Sequence, residues 1–230
     1  LDWYFLPVLN PDGYVHSKKD RFWRKTRSCF DCPNGEKCTG VDLNRNWGFK
    51  WNQGEPFEEY NNNDPCNDRY QTYRGPEPFS EIETRNVRDF ILAHKDQIKL
   101  FNTLHAYGQY ILLPWSYTNA VKPSTYDQMF ELAQKGNEAL FKVHGTKYSI
   151  GTGPDLIGYV ASGVSFDWAL GDAGIPYVMC MELPPHCDED DYDCFMKGFM
   201  VPKERIVPTA EEVWAFHEEV AKLLIVEFAP

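Results

Sequence analysis

Apolar and polar residues alternate, or recur at helical spacing, along most of the chain. Short apolar runs bounded by Gly, Pro, Asn or Asp predict strands, and apolar residues three or four positions apart predict amphipathic helices. The strands and apolar runs predicted in this way cover 1–9, 39–47, 100–107, 111–115 and 175–181, the last ending at Glu182. The predicted helices cover 80–95, 125–143, 166–170 and 209–228.

Strands that are interleaved with helices predict an α/β fold, specifically a three-layer α/β/α sandwich around a mixed, largely parallel twisted sheet. The segments 48–79 and 149–165 are rich in glycine or in turn-forming residues and are predicted as loops. No repeat or composition break divides the sequence, so residues 1–230 are expected to form part of one domain. Because the chain opens directly on an apolar strand, we expect the N-terminal part of that domain to be absent from this chain.

Composition and charge limit the classes of partner that this chain is expected to bind. The 230 residues are 43% hydrophobic, which suffices for one large core or two modest ones. A formal net charge of −11 argues against nucleic acid and anionic membranes as partners. No apolar run approaches the roughly 20 residues that span a bilayer.

The cysteines indicate an oxidising compartment. Six of the seven lie in loops and are interpreted as disulfide cysteines of a secreted, extracellular protein: Cys29, Cys32, Cys38, Cys66, Cys187 and Cys194. Cys180 lies inside an apolar strand and is expected to be the odd thiol. Cys29 and Cys32 could also form half of a zinc ribbon or a redox pair, but no second close pair with ligand spacing follows.

Polar side chains at predicted strand ends and in loops are the candidates for chemistry. Asn44 and Arg45 together offer fixed donors suited to a carboxylate, with a surface salt bridge as the alternative. Glu182 follows an apolar strand and must be paired, hydrated or catalytic; beside a metal-bound water it would be a general base. His105 fits a metal ligand or a structural histidine, and Tyr159 fits a binding residue or an ordinary loop aromatic.

One basic cluster, residues 21–27, stands out in an acidic chain. It is interpreted either as a solvated loop, as most charge runs are, or as an anion site built from Arg21 and Arg24.

Six motifs in this order resemble the zinc metallocarboxypeptidases of the pancreatic A/B type, over essentially the whole chain. They are Phe22–Arg27, Asp42–Trp47, Thr103–Tyr107, Tyr159–Gly163, Met181–Leu183 and Ile206–Glu212. The resemblance implies an exopeptidase that removes the C-terminal residue of peptides with the help of one zinc ion. It also implies that Cys38 pairs with Cys66, whereas the pairs Cys29–Cys32 and Cys187–Cys194 are inferred from spacing alone.

The resemblance also assigns roles to residues. His105 would be the third zinc ligand, and the other two are not in this chain. Arg24 would polarise the scissile carbonyl, and Glu182 would be the general base. Asn44 and Arg45 would grip the substrate carboxylate. Tyr159 would close over the site, while Arg21 and Tyr107 would contact more distant substrate residues.

Substrate preference is expected to be of the A type. The resemblance places Phe166 where B-type enzymes carry an acidic residue for basic side chains. The residues expected to line an apolar pocket are Leu112, Pro154, Ala161, Phe166 and Cys180, with Ser116 as the polar wall. We therefore expect preference for hydrophobic C-terminal residues, aliphatic rather than large aromatic.

The family's first two zinc ligands come from a His-x-x-Glu motif, and the one such motif here, His186–Glu189, lies after the catalytic strand, where it does not fit. We expect the N-terminal fragment of the same enzyme to supply the ligands. The alternative is a metal-free, non-catalytic fragment that binds peptide C-termini. The expected partners are peptide or protein C-termini, that fragment, and a zymogen pro-segment or a protein inhibitor. A digestive role is expected.

Overall fold

The computed structural model describes residues 1–31, 39–53, 65–66, 71–187, 194 and 197–229. The chain forms two compact units. The first comprises Leu1–Ile98, Ser116–Thr118 and Val160–Ile175, and the second comprises Lys99–Trp115, Asn119–Tyr159 and Pro176–Pro230.

The helices, in chain order, are α1 Pro11–His16, α2 Ile82–His94, α3 Tyr126–His144, α4 Gly153–Ile157, α5 Ser165–Gly171 and α6 Ile206–Glu227. The strands are β1 Leu100–Ala106, β2 Tyr110–Leu113, β3 Ser149–Thr152 and β4 Tyr177–Leu183. Short 3-10 helices occupy Leu43–Arg45 and Lys203–Arg205. None of the helices in the described ranges is long and apolar enough to cross a membrane.

The second unit contains a four-stranded mixed sheet in the order β1-β4-β2-β3. β1 pairs with β4 and β2 with β3 in parallel, while β2 and β4 are antiparallel. Only residues 107–109 separate β1 from β2, whereas the connection from β1 to β4 contains helices, as parallel pairing requires. The predicted α/β class with a mixed, largely parallel sheet is confirmed.

Helices α3 and α6 pack against each other in the second unit, and α3 also contacts β2 and β3. The predicted amphipathic stripe of α3 is confirmed, because Met129, Leu132 and Leu140 are buried. Gly136 lets the two helices approach closely: a Cβ atom at this position would lie 2.5 Å from the Phe216 ring.

Two predicted strands are wrong. Residues 1–9 lie outside the sheet with exposed apolar side chains, among them Leu1 at 73% and Phe5 at 70% exposure. Residues 39–47 form a loop with one 3-10 turn, because the Asp42 side chain caps Leu43–Arg45. Val41 and Asp42 are both buried, so the alternation of apolar and polar residues there does not mark a half-exposed strand.

Other boundaries also differ. The predicted loop at 149–165 contains β3 and α4, the latter capped by Thr152 Oγ1, which accepts from Asp155 N at 3.3 Å. α6 begins at Ile206 rather than 209, because Pro208 is tolerated in a first turn whose N–H groups have no helical partner. The N-cap of α2 is Glu81, so this helix begins at Ile82 rather than at the predicted residue 80.

The disulfide pattern agrees with the prediction where the structure describes it. Cys187 and Cys194 are bonded, with Cα atoms 5.6 Å apart, and Cys180 is a buried thiol. Cys29 and Cys66 are also in disulfides, but their predicted partners, Cys32 and Cys38, lie outside the described residues.

Asp167, in the first turn of α5, fixes the segment Ser116–Thr118 within the first unit. Its carboxylate accepts Ser116 N at 2.9 and 3.0 Å and Tyr117 N at 3.1 Å. Burial raises the pKa of Asp167 to about 7, although the two N–H donors lower it in part. The folded state therefore holds this proton more tightly than the unfolded chain.

We expect Asp167→Asn to remove part of the dependence of stability on pH. Since the pKa rises from 3.8 to about 7 on folding, the stability from this group is present below pH 3.8 and lost as pH rises to about 7. When the pH falls from 7.5 to 5, the free energy of unfolding of the wild type should thus rise by up to a few kcal/mol relative to that of the variant, at ~1.4 kcal/mol per pKa unit. Denaturant unfolding at both pH values measures this. A difference that does not change with pH would contradict it.

We expect Gly136→Ala to destabilise the protein. The added methyl group must displace the buried ring of Phe216, which costs about 1–3 kcal/mol and outweighs alanine's helix advantage of roughly 1 kcal/mol. The denaturant midpoint measures the loss. Lys135→Ala, at an exposed neighbouring position of α3, is the control and should leave stability within about 0.5 kcal/mol. A variant more stable than wild type would contradict the expectation.

Candidate functional site

In the first unit, Arg24, Asn44 and Arg45 gather around the carboxylate of Asp42. Asp42 Oδ1 accepts Asn44 N at 2.9 Å, and Oδ2 accepts Arg24 Nε at 2.9 Å. Arg45 Nη1 lies 4.0 Å from the same Oδ2 atom. Three of the predicted site residues are therefore brought together by a fourth that was not predicted.

Hydrogen bonds donated by backbone N–H groups hold the segments that carry these residues side by side. Thr26 N donates to Val41 O at 2.8 Å, and Val41 N donates to Thr26 Oγ1 at 2.9 Å. Asp42 N donates to Tyr73 O at 2.7 Å. The basic segment that carries Arg24 is thus tied directly to the loop that carries Asp42.

Asn44 and Arg45 are each held by the backbone. Asn44 Oδ1 accepts Ser165 N at 3.0 Å at the start of α5, which leaves the Nδ2 group as the donor end of the amide. Arg45 Nη1 donates to Asn44 O at 2.9 Å, and Arg45 is only 8% exposed. An amide and a guanidinium held in this way match a carboxylate in hydrogen-bonding capacity.

The cluster of Asp42, Arg24 and Arg45 is electrostatically suited to an anion. Burial by itself would raise the pKa of Asp42, but the guanidinium groups of Arg24 and Arg45 and the hydrogen bonds to Arg24 and Asn44 hold it below its ordinary value. Asp42 is therefore ionised at neutral pH. One carboxylate between two guanidinium groups leaves one positive charge in excess.

Four further predicted residues lie in the first unit. Ser116, Ala161 and Phe166 are buried, Ser116 through the Asp167 bonds described above and Phe166 on α5. Arg21 lies exposed in a turn of the basic segment.

In the second unit, one face of the sheet brings together His105 and Glu182. They are register partners on the parallel strands β1 and β4, so their side chains leave the same face from backbones ~4.8 Å apart. Cys180, two residues before Glu182, is paired with Leu112 of β2 and shares this face. Thr103 Oγ1 lies 3.2 Å from His105 Nε2.

The remaining predicted residues of the second unit lie outside the strands. Tyr107 follows β1, and its ring makes an edge contact with Phe199 at 4.8 Å; burial raises the pKa of Tyr107. Pro154 is in α4, and Tyr159, 47% exposed, follows that helix.

The described residues do not by themselves complete a metal site. Within the ranges given above, no three His, Cys, Asp or Glu side chains cluster to hold a metal ion. A catalytic zinc takes three protein ligands, so the predicted ligand His105 would need further ligands to complete such a site. His186 is engaged with Gly108 O through Nδ1 at 3.0 Å, and Glu189 of the same motif lies outside the described residues.

Asp42 is the residue that sequence reasoning missed. The alternation of apolar and polar residues in 39–47 indicates only that Asp42 would lie on the polar face of a strand. The signal that could have identified it is Asp two residues before Asn44 and three before Arg45, the spacing of an aspartate that caps a helical turn.

Comparison with known proteins places the chain in a family. Residues 1–216 match the family model described as zinc carboxypeptidase. Carboxypeptidase B of Astacus astacus is 40% identical over 225 residues, covering 97% of this chain and 68% of that protein. Carboxypeptidase A2 of Rattus norvegicus is 43% identical over 215 residues, covering 93% of this chain and 46% of that protein.

A solved structure agrees. Bovine thrombin-activatable fibrinolysis inhibitor, in complex with tick carboxypeptidase inhibitor, superposes with a TM-score of 0.80 at 31% identity, covering 96% of this chain and 68% of that one. The Asp42 cluster and the His105–Glu182 pair thus occur in a chain whose sequence and fold both match carboxypeptidases. The chain belongs to the zinc carboxypeptidase family.

Proposed function

We propose that this chain provides the general base and the carbonyl- and carboxylate-binding residues of a zinc-dependent exopeptidase that removes the C-terminal residue of peptides. The observation that carries the proposal is the pairing of His105 with Glu182 in register on β1 and β4. A candidate metal ligand and a candidate base on neighbouring strands suit the hydrolysis of a peptide bond by water.

The proposed roles follow from the chemistry of the groups. Glu182 accepts a proton from the attacking water and passes it to the departing amine as the C–N bond breaks. Arg24 stabilises the negative charge on the carbonyl oxygen, where one good donor contributes ~3 kcal/mol. Asn44 and Arg45 bind the free C-terminal carboxylate. His105 would be one ligand of the zinc ion, which would supply a polarised water for the attack.

Three residues would act at the margins of this site. We assign Tyr159, which is exposed on a loop, to closure over the bound substrate. Arg21 and Tyr107 would contact substrate residues farther from the scissile bond. The exposure of Arg21 and Tyr159 is consistent with groups that meet a ligand.

We propose that the N-terminal fragment of the same enzyme carries the two further zinc ligands in a His-x-x-Glu sequence, since the described residues do not assemble a three-ligand site. Residues 1–8 offer a surface for such a fragment. They form neither helix nor strand, and they expose apolar side chains at odd and even positions alike, among them Phe5 and Leu6. Apolar residues on both faces are typical of a strand that lies between others in a sheet.

We propose an A-type preference for hydrophobic C-terminal residues. Phe166, Ala161, Leu112 and Cys180 are buried apolar residues, and the one predicted polar wall, Ser116, is uncharged. No acidic side chain that could pair with a basic substrate residue replaces Phe166. The relatives do not decide this preference, since both A and B types match.

We also propose that the protein is secreted, which the disulfide Cys187–Cys194 supports because such bonds persist in oxidising compartments. A protein inhibitor is a proposed partner by extension from the bovine relative, which was solved with a tick inhibitor. A zymogen pro-segment and a digestive role stay predictions.

A second candidate function is binding of peptide C-termini without metal. One observation favours it: the Arg24–Asn44–Arg45 cluster is assembled within the described residues, whereas a three-ligand metal site is not. Zinc content and turnover separate the two functions.

We expect Glu182→Gln to abolish turnover while peptide binding persists. The amide cannot accept the proton from water, and loss of a general base costs about 100- to 10,000-fold in kcat. The measurement is kcat and KM for a peptide ending in leucine, made on the zinc-loaded complex with the N-terminal fragment. Glu218→Gln, at an exposed position of α6, is the control. Equal losses in binding and turnover would count against the role as base.

Zinc content tests the need for the second segment. Mass spectrometry and metal analysis should find little zinc on the chain alone and about one ion per complex with the His-x-x-Glu fragment, as three protein ligands require. His105→Ala should lose this ion. Stoichiometric zinc on the chain alone, unaffected by His105→Ala, would contradict the proposed ligand set.

A further inference from the structure

We propose that Asp42 is a positioning residue that orients Arg24 and Arg45 for the substrate. This inference rests on the proposed function, because it concerns the same anion-binding groups. Asp42 itself is 2% exposed, and we propose that it acts through the two arginines rather than by contact with the substrate. Its role is to fix the direction in which two other side chains present their donors.

The hydrogen bond from Arg24 to Asp42 fixes the orientation of the Arg24 guanidinium group. Arg24 donates Nε–H to Asp42 Oδ2 at 2.9 Å. The guanidinium group is planar, so an Nε–H bond to a fixed acceptor sets the orientation of the whole fork, including both Nη nitrogens. The acceptor is itself fixed, because Asp42 Oδ1 accepts Asn44 N and Asp42 N donates to Tyr73 O.

Arg45 is held by two oxygen atoms of the same turn. Its Nη1 atom is 2.9 Å from Asn44 O and 4.0 Å from Asp42 Oδ2. The guanidinium group is therefore held between a carbonyl and a carboxylate of residues one and three positions earlier. Because Asp42 also caps this 3-10 turn, one side chain orders both the backbone of the turn and the side chain that leaves it.

The negative charge of Asp42 also keeps the two guanidinium groups together. Arg45 is largely buried, and the side chain of Arg24 is 38% exposed. Without the carboxylate, two guanidinium groups would repel each other in a partly desolvated loop, and a buried charge left without its counter-ion is strongly unfavourable. We expect both side chains to turn toward solvent in that case and to lose their shared orientation.

The test compares Asp42→Asn with wild type. The substituted amide keeps an oxygen that can accept Asn44 N, and so keeps the cap, but it loses the charge and presents an amide to Arg24. The probe is N-acetyl-leucine, with N-acetyl-leucinamide as the reference without a carboxylate, titrated calorimetrically into the 230-residue chain. Wild type should bind the acid more tightly than the amide. The variant should bind the acid about tenfold or more weakly, as expected for loss of an aligned charge-assisted bond, with amide binding unchanged.

Asp89→Asn is the matched control. Asp89 pairs with Arg88 at 2.8 Å on α2 with its side chain 64% exposed, so this variant also removes an Asp–Arg pair from the first unit, but away from the cluster. It should bind both probes as wild type does. A loss of acid binding in this control equal to that in Asp42→Asn would overturn the assignment to Asp42.

A spectroscopic measurement separates this inference from the proposed function. In nitrogen-15 NMR spectra, the Arg24 Nε–H signal should be protected from exchange in wild type and lose protection in Asp42→Asn. If wild type shows the protected signal but does not distinguish acid from amide, the proposed carboxylate recognition fails and the pairing stands. If Asp42→Asn is folded and binds the acid like wild type, the positioning role is wrong.

Asp42→Glu covers the case in which Asp42→Asn does not fold. Glutamate retains the charge but moves the oxygens outward by one methylene. A positioning role predicts weaker acid binding in this variant as well. Acid binding equal to wild type would mean that charge alone matters and would overturn the proposal.

Discussion

The ionised carboxylate of Asp42 is the group around which Arg24, Asn44 and Arg45 are arranged in the first unit. Two guanidinium groups and one backbone N–H converge on its two oxygens. An arrangement of this kind tolerates burial because the charges are paired, and it still leaves a net positive charge for a ligand. The conformation of this loop is therefore fixed by ion pairs, whereas strands and helices are fixed by repeated backbone hydrogen bonds.

In the second unit, strand pairing rather than ion pairing positions the candidate site residues. His105 and Glu182 are positioned by the register of two parallel strands, in which each backbone hydrogen bond reinforces the next. A shift of one residue would turn every side chain of that strand to the other face, so the register of a buried strand is strongly specified. The placement of Glu182 beside His105 thus depends on the apolar residues Val178, Met179 and Met181, which are fully buried and hold β4 in place.

The exposed apolar segment 1–8, and the lack of a three-ligand metal site among the described residues, both bear on whether a second segment completes the zinc site. A complete catalytic zinc site needs three protein ligands, and His105 is the one candidate that the β1–β4 register puts beside Glu182. Asp42, Asn44 and Arg45 need no such partner, since their contacts lie within one loop and the segments hydrogen-bonded to it. The proposed binding of the substrate carboxylate and the proposed metal-dependent hydrolysis can therefore be tested separately in the experiments above.

The sequence alone determined the elements whose signal is local. The sequence predicts helix α3 and strands β1 and β4 within a few residues, because an amphipathic period or a continuous apolar run directly indicates which residues are buried. Ordered motifs also identified the family, since such residues are set by chemistry rather than by packing. The sequence could not show that 1–9 would lie outside the sheet or that 39–47 would form a loop: both have strand-like patterns, but pairing with another strand is a long-range event. Only the tertiary structure revealed the contacts of Asp42 with Arg24 and Tyr73, because both residues are distant from it in the sequence.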